Sequence, residues 1–281
     1  MQLNRESFFN QLTSLVDSNS KILLGFSGGS DSTALLILLS KVLAKENLHA
    51  IHINHNLNDY SLKFERFSRK FCSDNNVSLT VIEESRNNIT SESDEMWGRR
   101  IRYKNFQSLV NDLGFDFIAT AHHANDNFET VLMNLDNGCS INGIRGIPER
   151  NKNIIRPLLR FKKKDILKYM HQSSINYIDD PSNEDISIKR NFIRKNIMTK
   201  IEALNDKYID KLSLISMEAI LAVNKLDNII KKYIEQRIDI KSDKIILSDF
   251  SIKSFSDYQK LILIKHIVGE GDIPWRKYRY H

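Results

Sequence analysis

Six residues, Ser27-Gly28-Gly29-Ser30-Asp31-Ser32, put two glycines, three hydroxyls and a carboxylate into one short stretch. Small residues let a backbone approach a ligand closely, and N–H groups at the start of a helix attract an anion. The second such stretch is Ala119-Thr120-Ala121-His122-His123-Ala124-Asn125-Asp126-Asn127-Phe128-Glu129-Thr130. Asp126, Glu129 and Thr130 stand at i, i+3 and i+4, hence on one face of a helix's first turn. Paired carboxylates there can bind Mg2+ or an amine. The plainer alternative is helix capping by Asp126 beside a surface Glu129. His123 is open to a role near reacting atoms or to a hydrogen-bonded structural one. Adjacent histidines on a strand cannot both face one metal, which excludes zinc.

Two elements must hold the first stretch in place. Lys21-Ile22-Leu23-Leu24 before it carries the continuous apolar run of a central parallel strand. Ala34, Leu35, Leu36, Leu38 and Leu39 after it form a helix buried nearly all round, starting at Asp31 or Ser32. Strand, glycine turn and helix together make a phosphate cradle. A Walker A loop needs Lys six residues after its first Gly, and counting from Gly25 puts Asp31 there. The spacing G-x-G-x-x-G is also missing. What stands here, S-G-G-x-D-S, resembles the PP-loop of the ATP pyrophosphatase superfamily. That resemblance implies release of pyrophosphate from ATP and adenylation of an oxygen.

Along the chain, residues 3–17 have helical spacing, and His49–Ile53 reads as a second strand ending at Asn54 and His55. Residues 61–74 form a helix with Leu62, Phe64, Phe67, Phe71 and Cys72 inward. A third strand (77–82), a helix (92–113), a fourth strand (115–121) and a helix from about Asp126 to Leu135 follow. This alternation predicts a doubly wound parallel sheet, with ligands beyond the carboxyl ends of its strands. Residues 137–148 read as a loop, 162–172 as a short helix and 176–185 as polar and turn-rich. Beyond Asn205 the pattern is long and helical, with Ile209, Leu212, Ile215, Met217, Ile220 and Leu221 inward. Ser256–Val268 reads as a further helix, and Pro274–Tyr280 is a basic and aromatic ending. The expected domains are therefore 1–205, carrying the cradle, and a smaller helical C-terminal domain, 206–281.

Of 281 residues, 41% are hydrophobic and 27% charged, as in an ordinary protein with a sizeable core. No apolar signal segment or membrane-length apolar run is seen, so a cytoplasmic location without membrane contact is expected. Cys72 and Cys139 lie far apart and suggest neither a disulfide framework nor a CxxC metal site. The net charge is +6, and residues 151–200 alone hold twelve Lys/Arg against five acids. An excess so concentrated points to a phosphate backbone, although a solvated helix face explains part of it.

The order of these motifs resembles the tRNA(Ile)-lysidine synthases. The series comprises the SGGxDS turn, Glu95, Arg99, Arg102 and Tyr103, and the His-His…Asp-x-x-Glu-Thr segment. Arg156-Pro157-Leu158-Leu159, Asp180-x-Ser182-Asn183 and Arg190-Asn191-x-x-Arg194 complete it, so that roughly residues 20–200 are covered. The resemblance implies ATP and Mg2+ as cofactors, L-lysine as co-substrate and tRNA(Ile) with a CAU anticodon as partner. It implies adenylation of C2–O of the wobble cytidine, position 34, followed by displacement of AMP by the lysine amine. The product, lysidine, moves codon reading from AUG to AUA. Carried over, Ser27, Gly28, Gly29, Ser30 and Ser32 hold the pyrophosphate, with Asn54, His55 and Arg99 near the nucleotide. Asp31, Asp126, Glu129 and His123 are the catalytic candidates, with Asp31 and Asp126 as the metal candidates. Arg190, Arg194 and Lys195 would meet tRNA, against the alternative of a solvated basic helix face.

The chain departs from the family pattern at several positions. Asn125 replaces an acid, Asn127 a Gln and Gly98 an Ala, and Asp136-Asn137-Gly138 replaces a Leu/Lys-Arg-Gly. The C-terminal part is short, with a second helical domain missing as in a truncated chain. A homodimer is compatible with the sequence, which fixes no oligomeric state. Competing readings are another PP-loop tRNA-modifying enzyme, such as a thiolase, and a non-catalytic RNA-binding protein of the same fold. The first generally needs paired cysteines; the second would be marked by loss of Asp31 or of the Asp126/Glu129 pair.

Overall fold

The computed structural model describes residues 2–56, 60–86, 92–179, 189–205, 207–240, 245–247, 255–257, 259, 260 and 263. Six strands make the central sheet: β1 (Ile22–Gly25), β2 (Leu48–Asn54), β3 (Ser78–Glu83), β4 (Phe117–Ala119), β5 (Arg150–Asn151) and β6 (Ile154–Ile155). Their order is β3-β2-β1-β4-β6-β5, parallel except for the β5–β6 edge hairpin. Ile22 lies opposite Leu48 on one side and Phe117 on the other. β1 is therefore a central strand with both ladders satisfied, as its unbroken apolar run requires.

Side chains alternate across β1. Ile22 and Leu24 face a core shared with α1 (Arg5–Thr13), α2 (Ser30–Ser40), α3 (Ser61–Asp74) and α7 (Lys163–Gln172). Leu23 faces the other way, towards Phe106 and Val110 of α4 (Asp94–Leu113). Helices thus cover both faces, giving the doubly wound sheet that the alternation implied. The chain runs from β1 outward to β2 and β3, then returns to β4 on the opposite side of β1. The strand order reverses between β1 and β4, which is where such sheets bind ligands.

A second helical group follows. It comprises α5 (Ala124–Asp136), the short α6 (Ile141–Ile144), α8 (Lys189–Phe192), a π-helical segment Ile193–Met198 and α9 (Thr199–Leu204). The long α10 (Lys207–Arg237) leads to a β-ribbon of β7 (Ile238–Ile240) and β8 (Ile245–Leu247). By contact density the chain divides into 1–139 with 146–214, and 140–145 with 215–281.

Several expectations shift. α2 starts at Ser30, one residue before the earliest expected start, with Gly29 as its N-cap. Strand β4 keeps only Phe117–Ala119 of the seven residues expected, because its neighbour β6 is two residues long. Leu62 is 58% exposed rather than inward. The buried stripe of α3 runs through Phe64, Phe67, Ser68, Phe71 and Cys72, and Leu62 sits about 200° away from Phe64. On α10, Ile215, Met217 and Leu221 are exposed, whereas Ile209, Ser216, Ala219, Val223 and Ile230 are buried. The true stripe includes small residues of low hydropathy, which a search for large apolar side chains passes over. Strands β5, β6, β7 and β8 were not expected, since two or three residues carry no readable period. Asp180, Ser182, Asn183, the Glu95 side chain and Pro274–Tyr280 lie outside the described residues, as does most of Ser256–Val268.

Candidate functional site

The turn after β1 is held by its own hydroxyls. The N–H groups of Ser27 and Gly28 both donate to Ser32 Oγ at 3.2 Å. The Ser32 hydroxyl in turn donates to Gly29 O at 3.1 Å. Gly28 has φ +86°, and a Cβ there would press on the Phe67 ring at 3.2 Å. Any L side chain at 28 would be strained by the backbone alone. Ile178 N–H donates to Gly28 O (3.1 Å), so the chain beyond α7 also braces the turn. Asp31, in the first turn of α2, is 29% exposed and turns its carboxylate away from the core.

The turn after β4 stands beside it. His123 is the N-cap of α5 and forms a capping box with Asp126: Asp126 N–H donates to His123 Nδ1 (3.4 Å), and His123 N–H to Asp126 Oδ2 (2.9 Å). With Nδ1 accepting, Nε2 carries a ring proton. That nitrogen lies 3.4 Å from Asp126 Oδ2 and 3.7 Å from Asp31 Oδ2, linking the two turns. Asp126 therefore caps its helix, as the plainer alternative held. Glu129, however, is not a surface residue: its side chain is 1% exposed.

Two arginines close over this acidic pair. Arg190 reaches Glu129 Oε2 (2.7 Å) through Nε and Asp126 Oδ1 (2.9 Å) through Nη2. Arg194, on the π-helical segment, reaches both Glu129 oxygens (2.8 and 3.0 Å) and Asp126 Oδ1 (3.3 Å). Burial opposes the charge on Asp126. The nearby His123 and Arg190 outweigh it and hold the carboxyl down to about 2. Lys195 follows on the same segment, half-buried.

Around these turns stand the remaining candidates. Asn54 is buried and uses both ends locally, donating to Glu65 (2.8 Å) and accepting from Asn56 N–H (3.0 Å). His55 packs edge-on against Trp97 and leaves Nδ1 buried with no partner among the described residues. Burial, then the Arg102 charge, pushes its ring down to about 4. His122 falls to about 4 for the same first reason, despite the opposing pull of Asp126. Arg99 lies over the Tyr103 ring, 5.2 Å from the centroid. Arg156 is buried at the end of β6, donates to Pro148 O (2.7 Å) and leaves Nε without a partner among the described residues.

Two further residues matter here, Lys163, which the sequence did not single out, and Asn125, noted there only as a departure from the acidic pattern. Lys163, the first residue of α7, places Nζ 2.7 and 2.8 Å from the Asp31 oxygens and 2.7 Å from Ser30 Oγ. A signal existed: three lysines open that helix, where its dipole disfavours cations. The other is Asn125. Its Oδ1 accepts from Lys163 N–H (2.9 Å) and its amide donates to Glu202 (2.6 Å). An Asp at 125 would instead oppose Glu202, so the departure from the acidic pattern satisfies a contact.

A nucleotide phosphate suits the first turn: the N–H groups of the exposed Ser27 and the buried Gly28 converge on one hydroxyl at the start of a helix. The unpartnered His55 Nδ1 beside it is a second opening for a polar ligand. For a divalent ion, Asp31 is the exposed carboxylate. No group of three or more metal-binding side chains occurs among the described residues.

Comparison with known proteins agrees with this geometry. A tRNA(Ile)-lysidine synthase of Pseudothermotoga lettingae is 30% identical over 264 residues, covering 92% of this chain and 58% of the relative. One from Chlorobaculum tepidum is 38% identical over 194 residues, covering 67% and 59%. The chain thus spans less than two thirds of the length of these relatives. The solved U34-tRNA thiolase NcsA of Methanococcus maripaludis shares the fold, with a TM-score of 0.65 at 18% identity over 76% of each chain. A family model for the PP-loop domain matches residues 1–201, which takes in both turns, Lys163 and the arginine-bearing segment. By that match this chain belongs to the PP-loop domain family.

Proposed function

We propose that the protein is a tRNA(Ile)-lysidine synthase, ligating L-lysine to C2 of the wobble cytidine of a CAU anticodon at the expense of ATP. The observation that supports this most is the pairing of the glycine turn with a buried acidic pair across the β1–β4 switch point. The first suits the phosphates of ATP and the second suits an amine. The names of the relatives point the same way.

In this reading the cytidine C2 oxygen bonds to the α-phosphorus and pyrophosphate leaves with the electron pair of the broken bond. The lysine ε-nitrogen then bonds to C2, AMP leaves with the oxygen, and the nitrogen loses a proton. Ser27, Gly28, Gly29, Ser30 and Ser32 hold the phosphates, the Ser32 hydroxyl giving up the two N–H groups it now accepts. Asn54, His55 and Arg99 flank the nucleotide. Asp31 would hold a Mg2+ ion, with Asp126 as the second metal candidate. A divalent ion there supplies charge neutralisation as pyrophosphate departs. Asp126 and Glu129 receive the ammonium of lysine in place of an arginine. His123, with Nε2 between Asp31 and Asp126, keeps the two carboxylates in register. Arg190 and Arg194, once released from the acids, turn to RNA phosphate together with Lys195. The catalytic unit is 1–205, with 206–281 as a helical tRNA-contacting domain, and the setting is cytoplasmic.

Thiolation is disfavoured by the cysteines. Burial pushes the Cys72 thiol up to about 12, far from a reactive thiolate, and Cys139 is the only other. A non-catalytic RNA binder would not need Asp31, Asp126 and Glu129 together. The deciding assay supplies ATP, labelled lysine and tRNA(Ile) with a CAU anticodon. Lysine incorporated at the wobble cytidine supports the proposal, and none with folded protein refutes it. Sedimentation at assay concentration distinguishes a monomer from a homodimer.

A further inference from the structure

Lys163 is placed by packing rather than by chance. Ile166 and Met170 bury α7 against the sheet, and Asn125 fixes the helix's first N–H. Ala124 N–H donates to Phe161 O (2.9 Å), which ties the approach to α7 to the start of α5. The ammonium that emerges has three acceptors: both oxygens of Asp31 and the Ser30 hydroxyl. Those three match its three donors.

Neither partner is deeply buried; the Lys163 side chain is 33% exposed and that of Asp31 29%. An ion pair this open adds little to stability, so stability alone does not account for the arrangement. What distinguishes the spot is its neighbour. The pair lies on the first turn of α2, beside the N–H groups that converge on Ser32. A triphosphate entering that turn brings more negative charge than the Asp31 carboxylate, and an ammonium is a strong phosphate partner.

We propose that Lys163 binds the β- and γ-phosphates of ATP and is parked on Asp31 while they are absent. This rests on the reading of the turn as an ATP site. When the nucleotide enters, Nζ moves from the carboxylate to the phosphates, and Asp31 is uncovered in the same motion. During adenylation the attacking oxygen bonds to the α-phosphorus and the bridging bond to the β-phosphate breaks. Its electron pair goes to the departing pyrophosphate. Lys163 neutralises that charge as an ammonium and gives up no proton.

The test is direct binding of ATP and of AMP, without tRNA, to the wild-type chain, Lys163→Met and Lys163→Arg by calorimetry. AMP lacks the two phosphates that Lys163 is assigned to hold. Lys163→Met should lose about ten- to a hundredfold in ATP affinity, the worth of a charged hydrogen bond, and less than about twofold for AMP. Lys163→Arg should recover most of the ATP affinity. Equal losses for ATP and AMP, or none, would overturn the assignment while leaving the ATP site intact. A wild-type chain that binds neither nucleotide would overturn the ATP reading and this inference with it. Should Lys163→Met not fold, acylation of wild-type Lys163, read by peptide mass spectrometry, takes its place. ATP should slow that labelling at least about fivefold and AMP should not; equal labelling would overturn the proposal.

Discussion

Two turns sit side by side at the carboxyl ends of β1 and β4, and they are stabilised in opposite ways. The first closes within six residues, through hydroxyl and N–H contacts among Ser27, Gly28, Gly29 and Ser32. The second is closed from outside by Arg190 and Arg194, more than sixty residues further along the chain. The hydroxyl contacts of the first are uncharged and local, with one distant brace from Ile178 N–H to Gly28 O; the arginine closure of the second is charged and joins segments far apart in the chain. His123 Nε2 bridges the two turns directly by facing Asp31 Oδ2, and Lys163 of α7 joins them indirectly, with Nζ on Asp31 and its N–H on Asn125. Asp31 is therefore the point where a change in either turn reaches the other.

The largest effect is expected at that shared point. Asp31→Ala removes the carboxylate that faces His123 and holds Lys163. We expect AMP release to fall by at least about 10²–10³-fold, the scale for deleting one preorganised electrostatic group. Binding of tRNA should change little. An active variant, measured as lysine-dependent AMP formation, would show that the two turns work without their bridge.

Next comes the charged turn. Glu129→Ala leaves Arg190 and Arg194 facing Asp126 alone. Both arginines retain some solvent, so a cost of about 2–3 kcal/mol is expected in urea unfolding, below that of a fully buried pair. Ser32→Ala in the neutral turn removes the acceptor for two N–H groups and should cost about 1 kcal/mol. Raising the salt should reduce the cost of Arg194→Ala and leave that of Ser32→Ala unchanged. Equal salt responses would mean that the arginine pairing contributes no more charge energy than the hydroxyl contacts do.

These contrasts explain what the sequence made legible. The first turn could be read because its determinants are consecutive: glycines, hydroxyls and an apolar strand before them. The i, i+3 spacing placed Asp126 and Glu129 on one face, as found. Their burial was not readable, because it comes from arginines distant in sequence that read as tRNA-contacting, with a solvated basic face as the alternative. Lys163 escaped for a related reason, since nothing local connects it to Asp31, which stands 132 residues earlier. On α10 hydropathy placed Ile209 correctly, but the buried stripe also passes through Ser216 and Ala219, while Ile215, Met217 and Leu221 are exposed. Local backbone chemistry is written in adjacent residues; long-range charge pairing is not.

Acid should separate the turns further. Burial holds His55 and His122 near 4, below the ordinary 6.5, so their neutral forms are favoured by folding. That contribution is complete above about pH 6.5 and is lost as the pH falls towards 4. Asp126, held near 2 against an ordinary 3.8, contributes above about pH 4 and loses it between 4 and 2. Stability should therefore decline in two stages on acidification. The first stage should reach at most about 1.4 kcal/mol per pH unit for each histidine. His122→Asn should flatten part of that stage, and an unchanged slope of urea midpoint against pH would remove His122 from the account.

The smallest effect concerns Gly98, on α4 behind His55. The helix interior does not need a glycine, which costs about 0.8–1 kcal/mol relative to alanine. A Cβ there would lie 3.7 Å from His55 Nε2 and 3.8 Å from Cε1, in ordinary van der Waals contact. Gly98→Ala should thus raise stability by up to about 1 kcal/mol without moving the ring. If ATP affinity also stays constant, the nucleotide side of the site tolerates the added methyl and the glycine serves no purpose in binding. If stability rises while ATP affinity falls, His55 needs the space above Gly98 to turn its unpartnered Nδ1 towards the ligand. That outcome would add a third turn, after β2, to the two that Asp31 connects.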